Sequence, residues 1–180
     1  MKHWPVPKSF SKTIPKKGCQ GSFWEDRDDR RHCGIDIYAP FDSDVVSVCD
    51  GKVIENGIFT DKSIIPYWNK TKYVIIENED GFFCVYAELK DALVKKYEKV
   101  KEGQLIGHVG LVLDEKRITK HSPSYIQKIR NKNHLSMLHF EIYKTKPVKN
   151  CKYLGGNWFA NDKPRGLIDP NSYLKNIFYD

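Results

Sequence analysis

The sequence predicts a mainly β domain, built as an antiparallel β-sheet or open barrel with short helices in its loops. Short runs of β-branched and aromatic residues recur along the chain, and Gly and Asp turn signals separate them at close spacing, as in antiparallel architectures. The composition, 40% hydrophobic and 29% charged, is that of an ordinary soluble globular protein. A length of 180 residues corresponds to one domain, so residues 1–180 are interpreted as a single unit.

The first elements follow a segment with little periodicity. Residues 1–31 are rich in Pro, Lys, Asp and Arg and are predicted to be loop with at most short strands. Residues 35–40 (IDIYAP) form a strand pattern that stops at the proline, and residues 44–48 form a second β-branched run. Asp50-Gly51 is a turn signal that leads into a further strand at residues 52–54.

The remaining strands are predicted from similar patterns. Residues 73–77 and 82–89 flank Glu79-Asp80-Gly81, which is typical of a hairpin. Residues 103–110 form a short strand between glycines. Residues 137–143 alternate clearly between two faces and predict another strand.

Two long connections interrupt this series, at residues 57–72 and 111–133. Long loops on a rigid sheet commonly carry binding residues, so we expect these two segments to line a groove. Within the second, Ser122-Pro123 favours a helix start and predicts a short helix at residues 122–130. A second short helix is expected at residues 91–99.

Charge and cysteine content restrict the function class. The formal net charge is +7, with basic clusters at residues 27–31, 95–101 and 116–132. These clusters are interpreted as solvated surface; attraction to a polyanion is the alternative, and the lack of a nucleic-acid motif disfavours nucleic acid as the partner. The five cysteines contain no C-x-x-C pair, which favours reduced thiols over a structural zinc knuckle, and a disulfide stays open.

The sequence gives little information on location. No apolar run is long enough to span a bilayer, so no membrane-spanning segment is predicted. The first five residues, MKHWP, lack the apolar stretch of a secretion signal, and the compartment is left open. Nothing in the sequence specifies an oligomeric state.

His32 and Asp36 form the first half of a candidate metal site. On a regular strand, residues four apart face the same way but lie about 13 Å from each other. Ligand atoms around one zinc ion lie only about 3–4 Å apart. The pair can therefore bind one ion only if the chain bends between them, and Gly34 is a residue that permits a bend.

His139 completes the candidate site. Alternation puts Met137, His139 and Glu141 on one face of their strand, while the residues between them pack the core. Two histidines and one aspartate would leave a fourth position for water, which is the pattern of a catalytic rather than a structural zinc site.

Read in order, the chain resembles the lysostaphin-like metallopeptidases of family M23. The resemblance covers nearly the whole chain and lies in the order of its short motifs: Trp4-Pro5-Val6-Pro7, His32-x-Gly34-Ile35-Asp36-Ile37, Ala39-Pro40, Val45 to Val48 with Asp50 to Val53, Val74 to Glu77 with Asp80-Gly81, Tyr86 to Leu89, Val100 to Gly110, Leu138 to Glu141, and Ile168-Asp169-Pro170. It implies the duplicated hybrid-motif fold and an endopeptidase that cuts stems or cross-links of peptidoglycan. It also implies one zinc ion held by His32, Asp36 and His139. Such a substrate points to the periplasm or the cell exterior.

Two positions depart from the family pattern. The family usually has His-Leu-His-Phe-Glu and Tyr-x-His-Leu, where this chain has Met137 and Glu88 in place of the histidines that flank the zinc-bound water. Methionine cannot exchange a proton, whereas a carboxylate is a competent general base beside zinc. We therefore predict Glu88 as the base, with Tyr86, which alternation places on the same face, as a hydrogen-bond donor to an oxyanion or as a packing residue.

Three alternatives remain open at this stage. In the first, Glu88 is a surface carboxylate and the domain has no catalytic activity. In the second, Glu88 fills the fourth zinc position and closes the site. In either case the chain is a non-catalytic binding or regulatory module for wall peptides or a partner enzyme. In the third, which is disfavoured, His134 or His121 takes the place of a missing family histidine. His108 is interpreted as structural.

Overall fold

The computed structural model describes residues 3–131, 135–148 and 150–174, and within them the chain forms twelve strands and two α-helices. Most strands are short, which reflects the close spacing of turn residues in the sequence. The strands are β1 (Arg31–His32), β2 (Ile35–Tyr38), β3 (Asp44–Val46), β4 (Gly51–Thr60), β5 (Thr71–Asn78), β6 (Phe83–Ala92), β7 (Lys99–Val100), β8 (Leu105–Leu111), β9 (Ser136–Tyr143), β10 (Tyr153–Leu154), β11 (Asn157–Trp158) and β12 (Leu167–Ile168). The helices are α1 (Ser124–Asn131) and α2 (Pro170–Leu174).

Nine of these strands form one curled antiparallel sheet, so the predicted fold class is confirmed. The strands follow the order β12-β9-β8-β6-β5-β4-β7, while β2 pairs with β9 and β3 pairs with β8. Strand β9 is central to the architecture, since it also pairs with β6. The predicted hairpin is present, with Gly81 at a φ of 80° between β5 and β6.

A second, three-stranded sheet joins the N-terminal segment to a late segment of the chain. Its order is β1-β11-β10, and His32 of β1 lies opposite Asn157 of β11. We call residues 150–158, which contain β10 and β11, the strap. The strap therefore lies against the strand that carries the first candidate ligand.

The buried apolar side chains form two clusters. The larger fills the main sheet and includes Ile35, Phe140 and Leu138, which are all fully buried. The smaller lies against Met137 and joins two loops to α1: Trp68, Val112, Leu113, Ile118, Tyr125, Ile126 and Ile129. As predicted, Ile126 and Ile129 share the buried face of a short helix, whose bounds are shifted by two residues or fewer.

Two local predictions are wrong. Residues 57–60 extend β4 and residues 71–72 begin β5, so the first long loop covers only residues 61–70. Residues 91–99 form no helix, because Asp91 continues β6 and its carboxylate accepts hydrogen bonds from the backbone and ring of His108 on β8. Leu93 N–H then donates to the Ile106 carbonyl, which keeps this segment paired with β8.

All five cysteines are free thiols, in agreement with the prediction of a reduced chain. Among the described residues, no helix has the length and the apolar character needed to cross a membrane.

Candidate metal centre

The three predicted ligands come together at the junction of β1, β2 and β9. Asp36 and His139 are direct partners across the antiparallel β2–β9 pair, so their side chains leave the same face of the sheet. His32 reaches them because the chain breaks between β1 and β2 at Cys33-Gly34. Gly34 permits this approach, since a Cβ atom there would lie 2.4 Å from the Phe140 carbonyl oxygen.

The donor atoms form a tight triangle. His32 Nε2 lies 2.9 Å from His139 Nδ1 and 3.0 Å from Asp36 Oδ1. His139 Nδ1 lies 3.1 Å from Asp36 Oδ1. All three side chains are buried, with exposed fractions of 0%, 4% and 2% for His32, Asp36 and His139.

Each imidazole is oriented through its second nitrogen. His32 Nδ1 lies 2.8 Å from the Ser22 carbonyl oxygen, and His139 Nε2 lies 2.7 Å from Glu141 Oε1. Glu141 in turn accepts hydrogen bonds from Tyr143 and Tyr153. Partners of this kind fix the tautomer of a metal-binding histidine and direct its other nitrogen to the ion.

The electrostatics require a positive charge inside the triangle. With His32 donating to a carbonyl and His139 to a carboxylate, the three atoms that face each other all present lone pairs. In the metal-free protein that charge is a proton on His139. Burial lowers the pKa of His139, but hydrogen bonds to Asp36 and Glu141 outweigh burial and raise it to about 10. Burial, followed by the charge of Arg27, lowers the pKa of His32, which keeps this ring neutral.

The donor set fits a zinc ion. Bonds of about 2.0–2.1 Å in a tetrahedral arrangement put ligand atoms about 3.3 Å apart, close to the separations found here. Three protein donors of the His/His/Asp type leave room for one further ligand, as in catalytic zinc sites. The pKa of Asp36 lies well below its usual range in spite of burial, because of the neighbouring imidazoles and Arg27, so its carboxylate is ionised and available.

Glu88 lies beside this triangle because of a β-bulge. The β5–β6 register skips Glu88, which has a φ of 63°, so its side chain leaves the strand out of alternation. It lines a cavity of ≈ 30 Å³ together with Asp36 and Met137, and its Oε2 has no hydrogen-bond partner among the described residues. Burial and then repulsion from Asp36 raise the pKa of Glu88 to about 8.

The structure does not bring Tyr86 to this site. Its fully buried ring packs edge-on against Phe140, and its hydroxyl oxygen accepts a hydrogen bond from the Val48 N–H. The prediction that Tyr86 and Glu88 share a face is therefore wrong. Regular alternation assumed a continuous strand, and the bulge at Glu88 separates the two side chains.

Three segments close over the centre, and together we call them the cover: residues 61–70, residues 112–131 and the strap. Each supplies walls of the small cavity, through Trp68, through Ile126 of α1, and through Gly155 of the strap. The Trp68 ring packs directly on Gly155, where a Cβ atom would lie 2.6 Å from the ring. The two segments expected to line a groove thus pack against each other near the candidate ligands, while Ile58 and Phe59 of the first segment line a larger cavity.

A larger cavity of ≈ 550 Å³ lies on the same face of the sheet. Its lining is mainly apolar and aromatic, and Gly155 borders both cavities. Among the other residues that line it are Phe59, Tyr73, Val85, Glu141 and Tyr153. Phe59 also stacks on the His139 ring at a centroid distance of 5.8 Å. This cavity, which we call the groove, therefore begins next to the candidate ligand His139.

Sequence reasoning missed two important residues. The charge pattern of the sequence places Arg27 on the solvated surface, but Arg27 is buried and donates to Asp36 Oδ2 at 3.1 Å. Glu141 was placed on the correct face without a role, although its position two residues after His139 on one strand is a signal that could have suggested contact. No local pattern marks Arg27 as buried, because Tyr125 and Asn157, which enclose it with Asp36, lie far along the chain.

The remaining histidines have other positions. The ring of His108 bonds to Asp91, as expected for a structural residue. His121 is exposed, with its backbone N–H donating to the Thr119 hydroxyl. His134, the other suggested substitute, lies outside the described residues.

Most of the chain matches one known protein family. The sequence model described as peptidase family M23 matches residues 30–151, which is more than half of the chain. The chain therefore belongs to peptidase family M23.

Individual relatives are more distant. The cell division protein DipM of Caulobacter vibrioides is 31% identical over 81 residues, which make up 45% of this chain but only 12% of that protein. Among solved structures, LytU has a TM-score of 0.55 at 20% identity, over 93% of this chain and 88% of LytU. The antimicrobial peptidase lysostaphin from Staphylococcus simulans has a TM-score of 0.52 at 21% identity, over 97% of this chain and 52% of that one. These two likenesses show the fold.

Proposed function

We propose that this chain is a zinc-dependent metallopeptidase that hydrolyses peptide bonds, with the stems or cross-links of peptidoglycan as its substrate. Membership of family M23 supports the reaction class. The substrate class is supported by relatives described as an antimicrobial peptidase and as a cell division protein.

One observation carries the proposal: a buried carboxylate without a partner lies next to a convergent donor triangle. Glu88 Oε2 lacks a hydrogen bond, and an unsatisfied buried carboxylate oxygen is costly unless a water or a ligand completes it. The adjoining cavity of ≈ 30 Å³ has room for about one or two waters. A nucleophilic water and its base therefore have a place beside the metal ligands.

The side chains have distinct roles in this reaction. A zinc ion held by His32, Asp36 and His139 would act as a Lewis acid that polarises the scissile carbonyl and acidifies water. Glu88, whose ionised form a nearby metal charge would favour, accepts the proton of water at Oε2 and returns it to the leaving amine. Glu141 keeps its hydrogen bond to His139 Nε2 throughout, which holds the imidazole in place.

The large groove is the place for the peptide. Its apolar and aromatic walls run from Phe59 and Tyr73 to Tyr153 of the strap, on the sheet face that carries His139. A peptide that extends from this groove to the metal must pass the contact between Trp68 and Gly155. Turnover therefore requires the cover to move, since the small cavity cannot hold a peptide bond.

A non-catalytic module is the second candidate, and the closed cover favours it. Met137, which has an exposed fraction of 2%, belongs to the apolar cluster beneath α1 and offers no exchangeable proton. A centre that stays closed would bind zinc structurally, while the groove of ≈ 550 Å³ recognises wall peptides.

The test measures metal content and peptide cleavage on one preparation. Wild-type protein is expected to hold one zinc per chain and to release new amino termini from purified peptidoglycan. The Glu88→Gln variant is expected to keep its zinc and to lose turnover by about 10²–10⁴-fold, because a general base contributes on that scale. Glu77→Gln, which changes an exposed carboxylate on β5, is the matched control and should cleave normally.

The outcomes separate the candidates. Zinc without cleavage, in wild type and control alike, would support the binding module. Normal cleavage by Glu88→Gln would remove Glu88 from the mechanism while leaving the peptidase intact. A folded wild-type protein that takes up no divalent metal would contradict both candidates.

A further inference from the structure

A single buried guanidinium connects the metal centre to its surroundings. Arg27 has an exposed fraction of 7% and donates from Nη2 to Asp36 Oδ2 and from Nη1 to Asn157 Oδ1, each at 3.1 Å. Its Nε donates to Glu25 Oε2, also at 3.1 Å. The guanidinium carbon lies 4.6 Å from the centre of the Tyr125 ring. Four separate segments of the chain therefore meet at one side chain.

The contact with Asp36 decides which carboxylate oxygen is available to a metal. Arg27 holds Oδ2, and Oδ1 is left 3.0 Å from His32 Nε2 and 3.1 Å from His139 Nδ1. A guanidinium is planar and rigid, and this one is itself fixed by Asn157 and Glu25, so its one hydrogen bond holds Oδ2 of Asp36 in a defined direction. The result is an aspartate directed to the triangle through a single oxygen.

The other contacts connect the same side chain to the cover. Asn157 lies on the strap, directly opposite His32 in the β1–β11 pair, and Tyr125 lies on α1. Both contacts are buried, where a hydrogen bond to a charged group and a cation–π contact are stronger than at the surface. The strap and α1 are thus held to the residue that orients a ligand.

Arg27, Glu25 and Asn157 all lie outside residues 30–151, which the family model matches. Arg27 and Glu25 come from the N-terminal segment, and Asn157 comes from the strap.

We propose that Arg27 is the positioning residue of the metal centre, which fixes Asp36 for coordination through Oδ1 and couples that ligand to the closed cover. This inference rests on the proposed metal site. Removal of the guanidinium frees the Asp36 carboxylate to rotate and releases the strap and α1 from the ligand. Metal affinity and closure of the cover then weaken together.

The experiment compares Arg27→Gln with Arg30→Gln in otherwise full-length protein. Arg30 is a matched control, because its guanidinium also lies near the Tyr125 ring, at 5.8 Å, and over Phe159, at 4.4 Å. Its ion pair goes to Asp29 rather than to a metal ligand. Zinc affinity is measured by competition with a chromophoric chelator, and Co²⁺ replaces Zn²⁺ for absorption spectra that report ligand geometry.

Arg27→Gln is expected to bind zinc about 10–100-fold more weakly than wild type, which is the usual effect of removing a partner of a metal ligand. Its cobalt spectrum should change in band position or intensity, and chelators should extract its zinc faster. Arg30→Gln should bind within about 3-fold of wild type with an unchanged cobalt spectrum, since no donor to Asp36 is lost. Arg27→Lys should recover only part of the affinity, since an ammonium keeps the charge without the fork.

Wild-type affinity and an unchanged cobalt spectrum in Arg27→Gln would overturn the inference. If that variant fails to fold, Asn157→Ala removes the anchor of Arg27 on the strap without changing a ligand; a several-fold loss of affinity is expected, and no change would overturn the coupling. Wild-type protein that binds no zinc would instead defeat the proposed metal site itself, so the two failures are distinguishable.

Discussion

The floor and the cover of the metal centre are built in different ways. The floor consists of β2, β9 and β6, where Asp36, His139 and Ala87 lie side by side in register across continuous antiparallel pairs. The cover consists of two loop segments and the strap. Its backbone pairing is short, as in the Trp68–Leu113 bridge and the two-residue β1–β11 pair, and side-chain contacts such as Trp68 on Gly155 add to it. Both regions are buried, but only the floor is held by long runs of backbone hydrogen bonds.

This difference indicates how the two regions contribute to function. Segments held by short backbone pairings and a few side-chain contacts open locally at lower free-energy cost than the centre of a sheet. Changes in the floor should therefore alter whether the metal is held, and changes in the cover should alter how readily it exchanges.

A substitution in the floor should have the largest effect. His139→Gln removes one of three metal donors and the partner of Glu141, so zinc affinity should fall by more than about 100-fold. Chelator competition measures the change. His108→Gln on β8 is the control, because His108 bonds to Asp91 away from the centre. Equal zinc affinity in the two variants would refute the assignment of His139 as a ligand.

A substitution in the cover should mainly change exchange. Trp68→Ala removes the ring that packs on Gly155. Zinc should leave for a chelator at least about tenfold faster, because a decrease of about 1.4 kcal/mol in the free energy of opening corresponds to a tenfold change in the open population. Trp4→Ala is matched in burial, at 5% exposed in both cases, but lies in the main core. Both variants should lose about 3–5 kcal/mol of unfolding free energy. Similar zinc release from the two would show that the cover does not limit access.

The strap offers a finer test. A Cβ atom at Gly156 would lie 2.6 Å from the His139 ring, whereas at Gly81 it would meet nothing within 4 Å. The two glycines have φ values of 75° and 80°, so alanine strains the backbone similarly, by about 1–2 kcal/mol. Gly156→Ala should in addition displace His139 and weaken zinc binding by about tenfold. Identical titrations for Gly156→Ala and Gly81→Ala would mean that the strap does not constrain the ligand.

Glu88 makes the metal-free protein sensitive to pH. Its pKa is about 8 in the folded protein against an ordinary 4.5, so between these values the folded state keeps a proton that the unfolded state has lost. The stabilising contribution of Glu88 is therefore complete below pH 4.5 and is lost as the pH rises through about 8.

Glu88→Gln stays neutral at every pH and should lack this loss. The unfolding free energy of the variant, measured with urea in the presence of a chelator, should rise relative to wild type by roughly 2–4 kcal/mol between pH 5 and pH 9. His139 is present in both proteins, so the difference between them reports mainly on Glu88. A constant difference across that range would show that Glu88 is ionised throughout.

Local patterns, together with the family resemblance, predicted the floor. The period-two pattern of β9 placed Met137, His139 and Glu141 on one face, and Gly34 marked the bend that brings His32 to Asp36. These features depend on a few adjacent residues, and alternation in a paired strand is dictated by backbone geometry.

Local patterns failed where a distant partner decided the outcome. Regular alternation predicts that Tyr86 and Glu88 share a face. The bulge that separates them depends on the pairing of β6 with β5 and β8, which the sequence of one strand does not specify. The segment at residues 91–99 stayed extended because β8 supplied its hydrogen bonds.

By itself, the sequence determined the mainly β class and the order of the strands along the chain, through residue type and short spacing, while its resemblance to family M23 pointed to the three side chains that converge. The tertiary structure alone decided that Arg27 is buried against Asp36, that Glu88 faces the small cavity, and that the strap and α1 close over the ligands. These outcomes bring together residues from 27 to 157, and contacts over such separations arise only when the whole sheet has assembled.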